Sequence, residues 1–159
     1  MPLAVDAQMV VGTFEPSLFL PKLLSKSKTE VLRELVGHVQ SSGLVRETAP
    51  VLEMLKNREQ LGSTGIGHGI AIPHGRSLSV QRLVAGFAKH EKGVPWDSPD
   101  GEPVRMIFLI LAPPVEQPNR YLPFLGRIVE AINDPERRAA LDNVSTFPEF
   151  QRFLRDALS

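Results

Sequence analysis

The sequence predicts one α/β domain, because helical patterns at both ends of the chain flank a central stretch of short apolar runs. With 159 residues, of which 42% are hydrophobic, the chain has enough apolar material for one core. The sequence contains no internal repeat, no low-complexity tract and no linker-like change of composition. Residues 1–159 are therefore expected to form a single domain.

Two amphipathic helices are predicted in the first third of the chain. The first begins at Ser27, because Ser27 and Glu30 have the spacing of a capping box. Its apolar face repeats at helical spacing through Val31, Leu32, Leu35, Val36 and Val39. The second begins near Thr48 and ends at Gly62, so Arg58 lies on its last turn. Its inward-facing side chains are expected to be Val51, Met54 and Leu55.

Strands are predicted at residues 70–72, 83–88 and 104–111, where the helical period gives way to short apolar runs. The run at 104–111 is nearly continuous, as in a strand covered on both faces. Residues 94–103 contain three prolines and one glycine, which indicates a turn-rich connection. The centre of the chain is therefore expected to be a sheet.

Helical patterns return in the last third of the chain. One apolar stripe, expected to lie in the core, consists of Leu122, Leu125, Ile128, Val129 and Ile132. A short helix is predicted to start at Asp134, and a last helix at Thr146. Helices should thus flank the strands.

Composition excludes several classes of function. Lysine plus arginine equals aspartate plus glutamate at 18 each, so no net positive field favours nucleic acid as a partner. The absence of cysteine excludes thiol catalysis and thiolate metal sites. Neither a secretory leader nor an apolar run of membrane-spanning length is visible, so we expect a cytoplasmic protein that does not insert into membranes.

A glycine-rich segment at residues 61–76 carries the strongest indication of chemistry. Four of the twelve glycines fall within residues 62–69, and such a loop brings backbone N–H groups close to an anion. It matches neither a P-loop, which needs Lys-Ser/Thr after its last glycine, nor a dinucleotide fingerprint, which needs a following helix. The segment therefore gives little support to nucleotide binding.

His74 stands out because Pro73 and Gly75 fix it at the end of a predicted strand. Pro73 restricts the backbone, and Gly75 is expected to leave room for an approaching partner. A neutral imidazole, with an ordinary pKa of about 6.5, is a competent nucleophile near neutral pH. Phosphoryl transfer needs alignment and positive charge, which Arg58, the loop amides and the hydroxyls of Ser63 and Thr64 could supply.

Three blocks of residues, 58–59, 63–67 and 71–75, together resemble the active-site signature of IIA domains of the bacterial phosphoenolpyruvate-dependent sugar phosphotransferase system. The resemblance is to the fructose/mannitol class, including its nitrogen-regulatory branch. Residues 95–97, 100–104 and the apolar run ending at Pro113 resemble further blocks of the family. The likeness covers roughly residues 15 to 158.

The resemblance implies a mixed β-sheet flanked by helices and a role for each matched residue. His74 would accept a phosphoryl group from the small histidine-containing phosphocarrier protein, and Arg58 would stabilise the phosphate. The group would pass to a IIB domain or be kept as a regulatory signal. No cofactor, metal or nucleotide would be required.

One position departs from the family pattern. Family members usually have a second active-site histidine where this chain has Tyr121. A tyrosine hydroxyl can still donate a hydrogen bond to phosphate, but it cannot act as a cation or basic relay near pH 7. Pro123 is expected to bend the start of this helix or to be confined to its first turn.

Four further residues have plainer interpretations. His68 lies between two glycines and fits a solvated loop, and His90 is expected at the surface in a charged turn. A metal site formed by His68, His74 and His90 has neither the spacing nor the carboxylates that would support it. His38 is expected to be an ordinary helix residue. Trp96 either faces a partner protein or plugs the sheet edge.

Three hypotheses remain open from the sequence. The preferred one is a phosphotransferase component that carries phosphate on His74 from protein to protein. The second is a non-enzymatic regulatory module in which phosphorylation at His74 switches the charge of a binding surface; Tyr121 and the absence of a fused IIB-like or membrane-like segment favour it. The third is a sensor that has lost phosphorylation and binds a small anion in the glycine loop.

Overall fold

A six-stranded mixed sheet forms the centre of the protein, in a computed structural model that describes residues 5–116 and 118–159. The expectation about a secretory leader concerns the amino terminus, of which residues 1–4 lie outside that range. Within the described residues, every helix is too short or too polar to cross a lipid bilayer.

The strands, numbered in chain order, are β1 Phe14–Leu20, β2 Gly65–Gly67, β3 Ile70–Ala71, β4 His74–Arg76, β5 Val84–Val94 and β6 Val104–Ala112. Their order in the sheet is β1-β5-β6-β3-β2, and β4 also pairs with β6. The β5–β6 and β2–β3 pairs are antiparallel, whereas β1 runs parallel to β5 and both β3 and β4 run parallel to β6. The sheet is therefore mixed, as the resemblance implied.

The helices are α1 Ala7–Thr13, α2 Lys28–Ser41, α3 Thr48–Leu61, α4 Tyr121–Ala131, α5 Pro135–Asp142 and α6 Phe147–Leu158. α2 and α3 bury their apolar faces on one side of the sheet. The other four helices pack on the opposite side, around a cluster of phenylalanines. Neighbouring residues of a strand point to opposite faces, so Ile107 joins the first core and Phe108 the second. The predicted α/β architecture with helices on both sides is confirmed.

Local capping signals set most of the helix starts. The Ser27 hydroxyl accepts a hydrogen bond from the Glu30 N–H at 3.2 Å, and Asp134 and Thr146 cap α5 and α6 in the same way. Each bond satisfies a backbone donor that the first turn leaves without a partner. These helices therefore begin where the sequence predicted.

The amino-terminal pair α1 and β1 was missed. α1 has only seven residues, and β1 contains Pro16, which breaks the pattern of a strand. β1 is an edge strand that pairs with β5 alone, a place where the missing N–H of proline is tolerated. Strand β5 also continues to Val94, six residues beyond the predicted run.

Two predictions about burial were wrong. Leu122 is 61% exposed and Val129 46% exposed, because α4 instead buries a face formed by Tyr121, Phe124, Ile128 and Ala131. His90 was expected at the surface but is buried, because β5 extends past Ala88 and turns this side chain inward. Its Nε2–H donates to the Ser25 carbonyl at 2.8 Å, and its Nδ1 accepts from the Gly93 N–H at 3.0 Å.

Candidate functional site

His74 lies where an edge of the sheet is interrupted. β3 and β4 follow one another along β6, with Ile70 opposite Met106 and His74 opposite Ile110. Pro73, between them, has no N–H to donate, but its carbonyl accepts a hydrogen bond from the Ile110 N–H at 3.1 Å. The backbone on both sides of the histidine is therefore anchored to β6, in which eight of nine residues are buried.

One ring nitrogen of His74 is already engaged. Nδ1 lies 2.5 Å from the carbonyl oxygen of Ile72. A carbonyl oxygen can only accept a hydrogen bond, so Nδ1 carries the proton of the neutral ring. Nε2 then has the free lone pair, and the ring is held in the orientation of a nucleophile.

The His74 side chain opens into a cleft of about 490 Å³ between α3, β4 and the start of α4. The lining residues are Met54, Asn57, Arg58, Leu61, His74, Gly75, Arg76 and Tyr121. Two larger grooves, of about 560 Å³ each, lie between α5 and α6 and beside α1. Neither contains the histidine, so chemistry rather than volume identifies the site.

Arg58 projects into this cleft from the last turn of α3, where the helical pattern placed it. Its Nη1 donates to the Gly62 carbonyl at 2.8 Å, which satisfies a helix-end acceptor and steadies the guanidinium. The positive charge thus stands at the cleft without a carboxylate bound to it among the described residues. Such a group favours an anionic ligand.

Tyr121 is the first residue of α4 and meets His74 across the cleft, with 6.2 Å between the ring centroids. Its backbone N–H is held by the side chains of Glu116, at 3.1 Å, and Asn119, at 3.2 Å. Burial raises the pKa of the Tyr121 phenol, while the charges of Arg76 and Arg58 oppose that shift. The hydroxyl is therefore neutral at pH 7. Pro123 is the third helical residue and is confined to the first turn, one of the two outcomes expected.

Arg76 also lines the cleft, although the sequence analysis did not single it out. Its guanidinium carbon lies 4.5 Å from the centroid of the Tyr121 ring. The sequence predicted the strand to end before His74, so only the observed strand β4 shows that the two residues share a face, as residues two apart on a strand do. Arg76 follows His74 at that spacing.

Ser63 and Thr64 do not line the cleft. The Ser63 hydroxyl donates to the Trp96 carbonyl at 2.5 Å. The Thr64 hydroxyl donates to the Glu59 carboxylate and accepts from the Trp96 indole N–H at 3.1 Å. Their hydroxyls thus connect the glycine loop to its surroundings, and the expectation that they contact phosphate stays a prediction.

Trp96 is fully buried and belongs to the core on the α2–α3 side of the sheet. Its side chain therefore does not face a partner protein, which was one of the two positions expected. The Lys28 ammonium lies 5.6 Å from the ring centroid. Lys28 also forms an ion pair of 3.1 Å with Glu59, whose side chain is 6% exposed. This polar network fixes the loop before β2 against the end of α3.

Gly75 has a packing role that the sequence did not predict. A Cβ atom at this position would lie 2.0 Å from the Met54 sulfur and 2.9 Å from its methyl carbon. The absence of a side chain therefore lets α3 approach β4, and through them Arg58 approaches His74. Met54 accordingly lies half-buried at the cleft wall rather than in the core.

His68 is exposed at the tip of the β2–β3 turn, with a φ of 59°. Its backbone N–H donates to Asp100 at 2.9 Å. Across residues 5–116 and 118–159, no three histidine, aspartate or glutamate side chains are grouped as a metal site would require.

Comparison with known proteins places this geometry in context. The family model described as "Phosphoenolpyruvate-dependent sugar phosphotransferase system, EIIA 2" matches residues 13–157. A nitrogen regulatory protein of Bradyrhizobium diazoefficiens is 36% identical over 121 residues, which are 76% of this chain and 78% of the relative. A fructose-specific EIIABC component of Bacillus subtilis is 35% identical over 117 residues, which are 74% of this chain but 18% of that protein.

The fold agrees with the same grouping. The crystal structure of nitrogen regulatory protein IIA-Ntr from Neisseria meningitidis superposes with a TM-score of 0.84 and 30% sequence identity. The match covers 92% of this chain and 99% of that one.

Proposed function

Because the chain belongs to the EIIA 2 family of the phosphoenolpyruvate-dependent sugar phosphotransferase system, we propose that it carries a phosphoryl group on Nε2 of His74. The observation that carries this proposal is the bond from Nδ1–H to the Ile72 carbonyl, which leaves Nε2 as the nucleophile in an open cleft. Arg58 stands beside it as a cation for the phosphoryl oxygens.

In the proposed step, the Nε2 lone pair attacks the phosphorus of a phosphohistidine on the donor protein. The N–P bond of the donor breaks as the Nε2–P bond forms, and the donor imidazole leaves with the electron pair. The proton on Nδ1 stays on His74, where the Ile72 carbonyl offsets the positive charge that develops on the ring. No general base is needed, because the attacking nitrogen carries no proton.

The proposed donor is the small histidine-containing phosphocarrier protein, and the proposed acceptor is a IIB domain or a regulatory target. The cleft rim supports a protein partner, because Leu61 is 86% exposed at its edge and Leu122 is 61% exposed beside Tyr121. Apolar side chains exposed around a reactive group are typical of a contact surface. The Tyr121 hydroxyl would donate a hydrogen bond to a phosphoryl oxygen. Ser63 and Thr64 would hold the glycine-rich loop in place through their hydrogen bonds to Trp96 and Glu59.

The direct test is phosphorylation in solution. Wild type, His74→Ala and His68→Ala are incubated at neutral pH with phosphoenolpyruvate, the general first enzyme of the system and a phosphocarrier protein from either branch. Intact-mass analysis should detect one acid-labile phosphoryl group on wild type and on His68→Ala, and none on His74→Ala. A wild-type protein that stays unmodified with both donors would overturn the proposal.

A second candidate function is a regulatory module that keeps the phosphoryl group as a signal. Tyr121 favours it, because its neutral phenol supplies neither a cation nor a base to assist onward transfer near pH 7. A phosphoryl group adds a charge of about −1.5 to −2 to the cleft, enough to change which proteins it binds. Mixing the phosphorylated protein with an unphosphorylated IIB domain separates the two functions, since a carrier loses the group within the time of mixing and a regulator retains it.

A further inference from the structure

Arg76 is placed by the backbone to act on the same group as His74. Both residues lie on β4, two positions apart, so their side chains leave the same face of the strand. Both also line the same cleft. Arg58 enters this cleft from α3, so the two arginines come from different elements.

The Arg76 guanidinium is held in place before any ligand arrives. Its Nη1 donates to the Pro113 carbonyl at 2.9 Å, and its Nη2 lies 3.3 Å from the Asn119 side-chain oxygen. Its guanidinium carbon lies over the Tyr121 ring, 4.5 Å from the ring centroid. These bonds leave further N–H groups of the guanidinium free to bind an oxygen. A donor oriented in advance loses little entropy when it binds an anion.

No described carboxylate neutralises this charge. The ion pairs within residues 5–116 and 118–159 involve Lys28, Lys56, Arg82, Arg105, Arg127 and Arg137. The two atoms that anchor Arg76 are neutral oxygens, and its aromatic neighbour Tyr121 is a phenol whose pKa is raised by burial. The charge of Arg76 therefore remains available to a ligand in the cleft.

We infer that Arg76 is a second phosphate-binding residue, held on the Tyr121 ring so that it binds the phosphoryl oxygens together with Arg58. The inference rests on the proposed function of His74. It assigns a second role to Tyr121 as well, because the ring supports the arginine while the hydroxyl remains free to donate. The cleft thus holds a second positive charge besides that of Arg58.

The experiment compares wild type with Arg76→Gln, Arg76→Lys and Arg152→Gln. The last variant removes one positive charge from the exposed face of α6, outside the cleft. The phosphoryl group on His74 is titrated by ³¹P NMR, because a nearby cation lowers the second pKa of a phosphoryl group. Thermal unfolding of all four proteins shows whether each variant is folded.

Arg76→Gln should raise the phosphoryl pKa by about 0.5 to 1 unit, since an opposite charge nearby shifts a pKa by about 1 to 3 units and the cleft is open to water. It should also slow phosphoryl acceptance by about tenfold to a hundredfold, below the loss for an enclosed oxyanion donor. Arg76→Lys should restore the pKa but only part of the rate, because lysine keeps the charge and lacks the planar fork. Arg152→Gln should match wild type.

A folded Arg76→Gln protein with the wild-type phosphoryl pKa and acceptance rate would overturn the inference while leaving the function of His74 intact. If wild type accepts no phosphoryl group, the proposed function fails and Arg76 is tested separately with inorganic phosphate. Phosphate binding, followed by the NMR shifts of the His74 ring during that titration, should be at least several-fold weaker in Arg76→Gln than in Arg152→Gln. Equal affinity of the two variants for phosphate would likewise overturn the inference about Arg76.

Discussion

Replacing Gly75 by alanine tests whether the close contact between α3 and β4 builds the site. The new Cβ would lie 2.0 Å from the Met54 sulfur, whereas a carbon and a sulfur in contact stay roughly 3.5 to 4 Å apart. A shift of a few tenths of an ångström cannot relieve this overlap, so the Met54 side chain must adopt another rotamer. Methionine is flexible, so we expect a loss of about 1 to 2 kcal/mol, within the usual cost of overpacking.

For a domain of this length, that loss corresponds to a melting temperature lowered by about 2 to 8 °C. Phosphoryl acceptance should fall as well, because Gly75 adjoins His74 and Met54 lies one turn from Arg58. Misplacement of reacting groups by about 1 Å can cost on the order of a hundredfold in rate. Thermal and urea unfolding measure the first effect, and the rate of phosphoryl acceptance measures the second.

Two further variants test whether the clash with Met54 causes the loss of stability. Gly126→Ala is the matched control, because a Cβ there meets nothing within 4 Å on the exposed side of α4. It should stabilise the protein by about 0.5 to 1 kcal/mol, as alanine does in a helix. Adding Met54→Ala to Gly75→Ala should remove the clash, so the double variant should be about 1 to 2 kcal/mol more stable than the sum of the single losses predicts. Strictly additive losses would refute the steric explanation.

Two other predictions concern charge. Glu59→Gln should lower the free energy of unfolding by about 2 to 3 kcal/mol. It leaves the Lys28 ammonium with only the exposed Asp97 carboxylate, at 3.9 Å, and faces an amide toward the Thr64 N–H. A free energy of urea unfolding within about 0.5 kcal/mol of wild type would contradict this prediction. The Tyr121 phenol has a higher pKa in the folded protein than in the unfolded chain, so above pH 10.0 the unfolded chain ionises first and wild type loses stability. Tyr121→Phe lacks this ionisation, so its free energy of unfolding should rise relative to wild type only above pH 10.0. Urea midpoints that decline in parallel from pH 8 to 11 would exclude this effect, which is well isolated because the chain has a single tyrosine.

The sequence located the segment of the candidate site because its signals are local. Prolines, glycines and caps act on neighbouring residues, so the end of α3 at Gly62, the end of β3 before Pro73 and the position of Arg58 followed from patterns within a few residues. The link between Tyr121 and His74 joins residues 47 positions apart in the chain, and only the resemblance to a family suggested it. That the chain forms a single domain over residues 1–159 stays a prediction.

Side-chain partners were the part that sequence could not give. The sequence left open whether Trp96 faces a partner, and it placed His90 at the surface, because the turn-like residues around them are polar. In the structure both are buried, and each finds hydrogen-bond partners more than 30 residues away, Thr64 for Trp96 and Ser25 for His90. A hydrogen-bond partner offsets the cost of burying a polar group. The hydrophobic periodicity of the sequence does not reveal whether such a distant partner exists.

The same long-range contacts decide how carrier and regulator differ. On the proposed function, two arginines and a neutral phenol face His74, so the cleft is positive before phosphorylation and nearly neutral after it. This change is identical for both functions, because the same phosphoryl group enters the same cleft. What differs is how long the phosphoryl group remains. Contacts that stabilise phosphohistidine more than the transition state for its transfer lengthen that time and favour signalling, whereas the reverse favours transport. The lifetime of phosphorylated His74 in the presence of a IIB domain is therefore the property that separates the two.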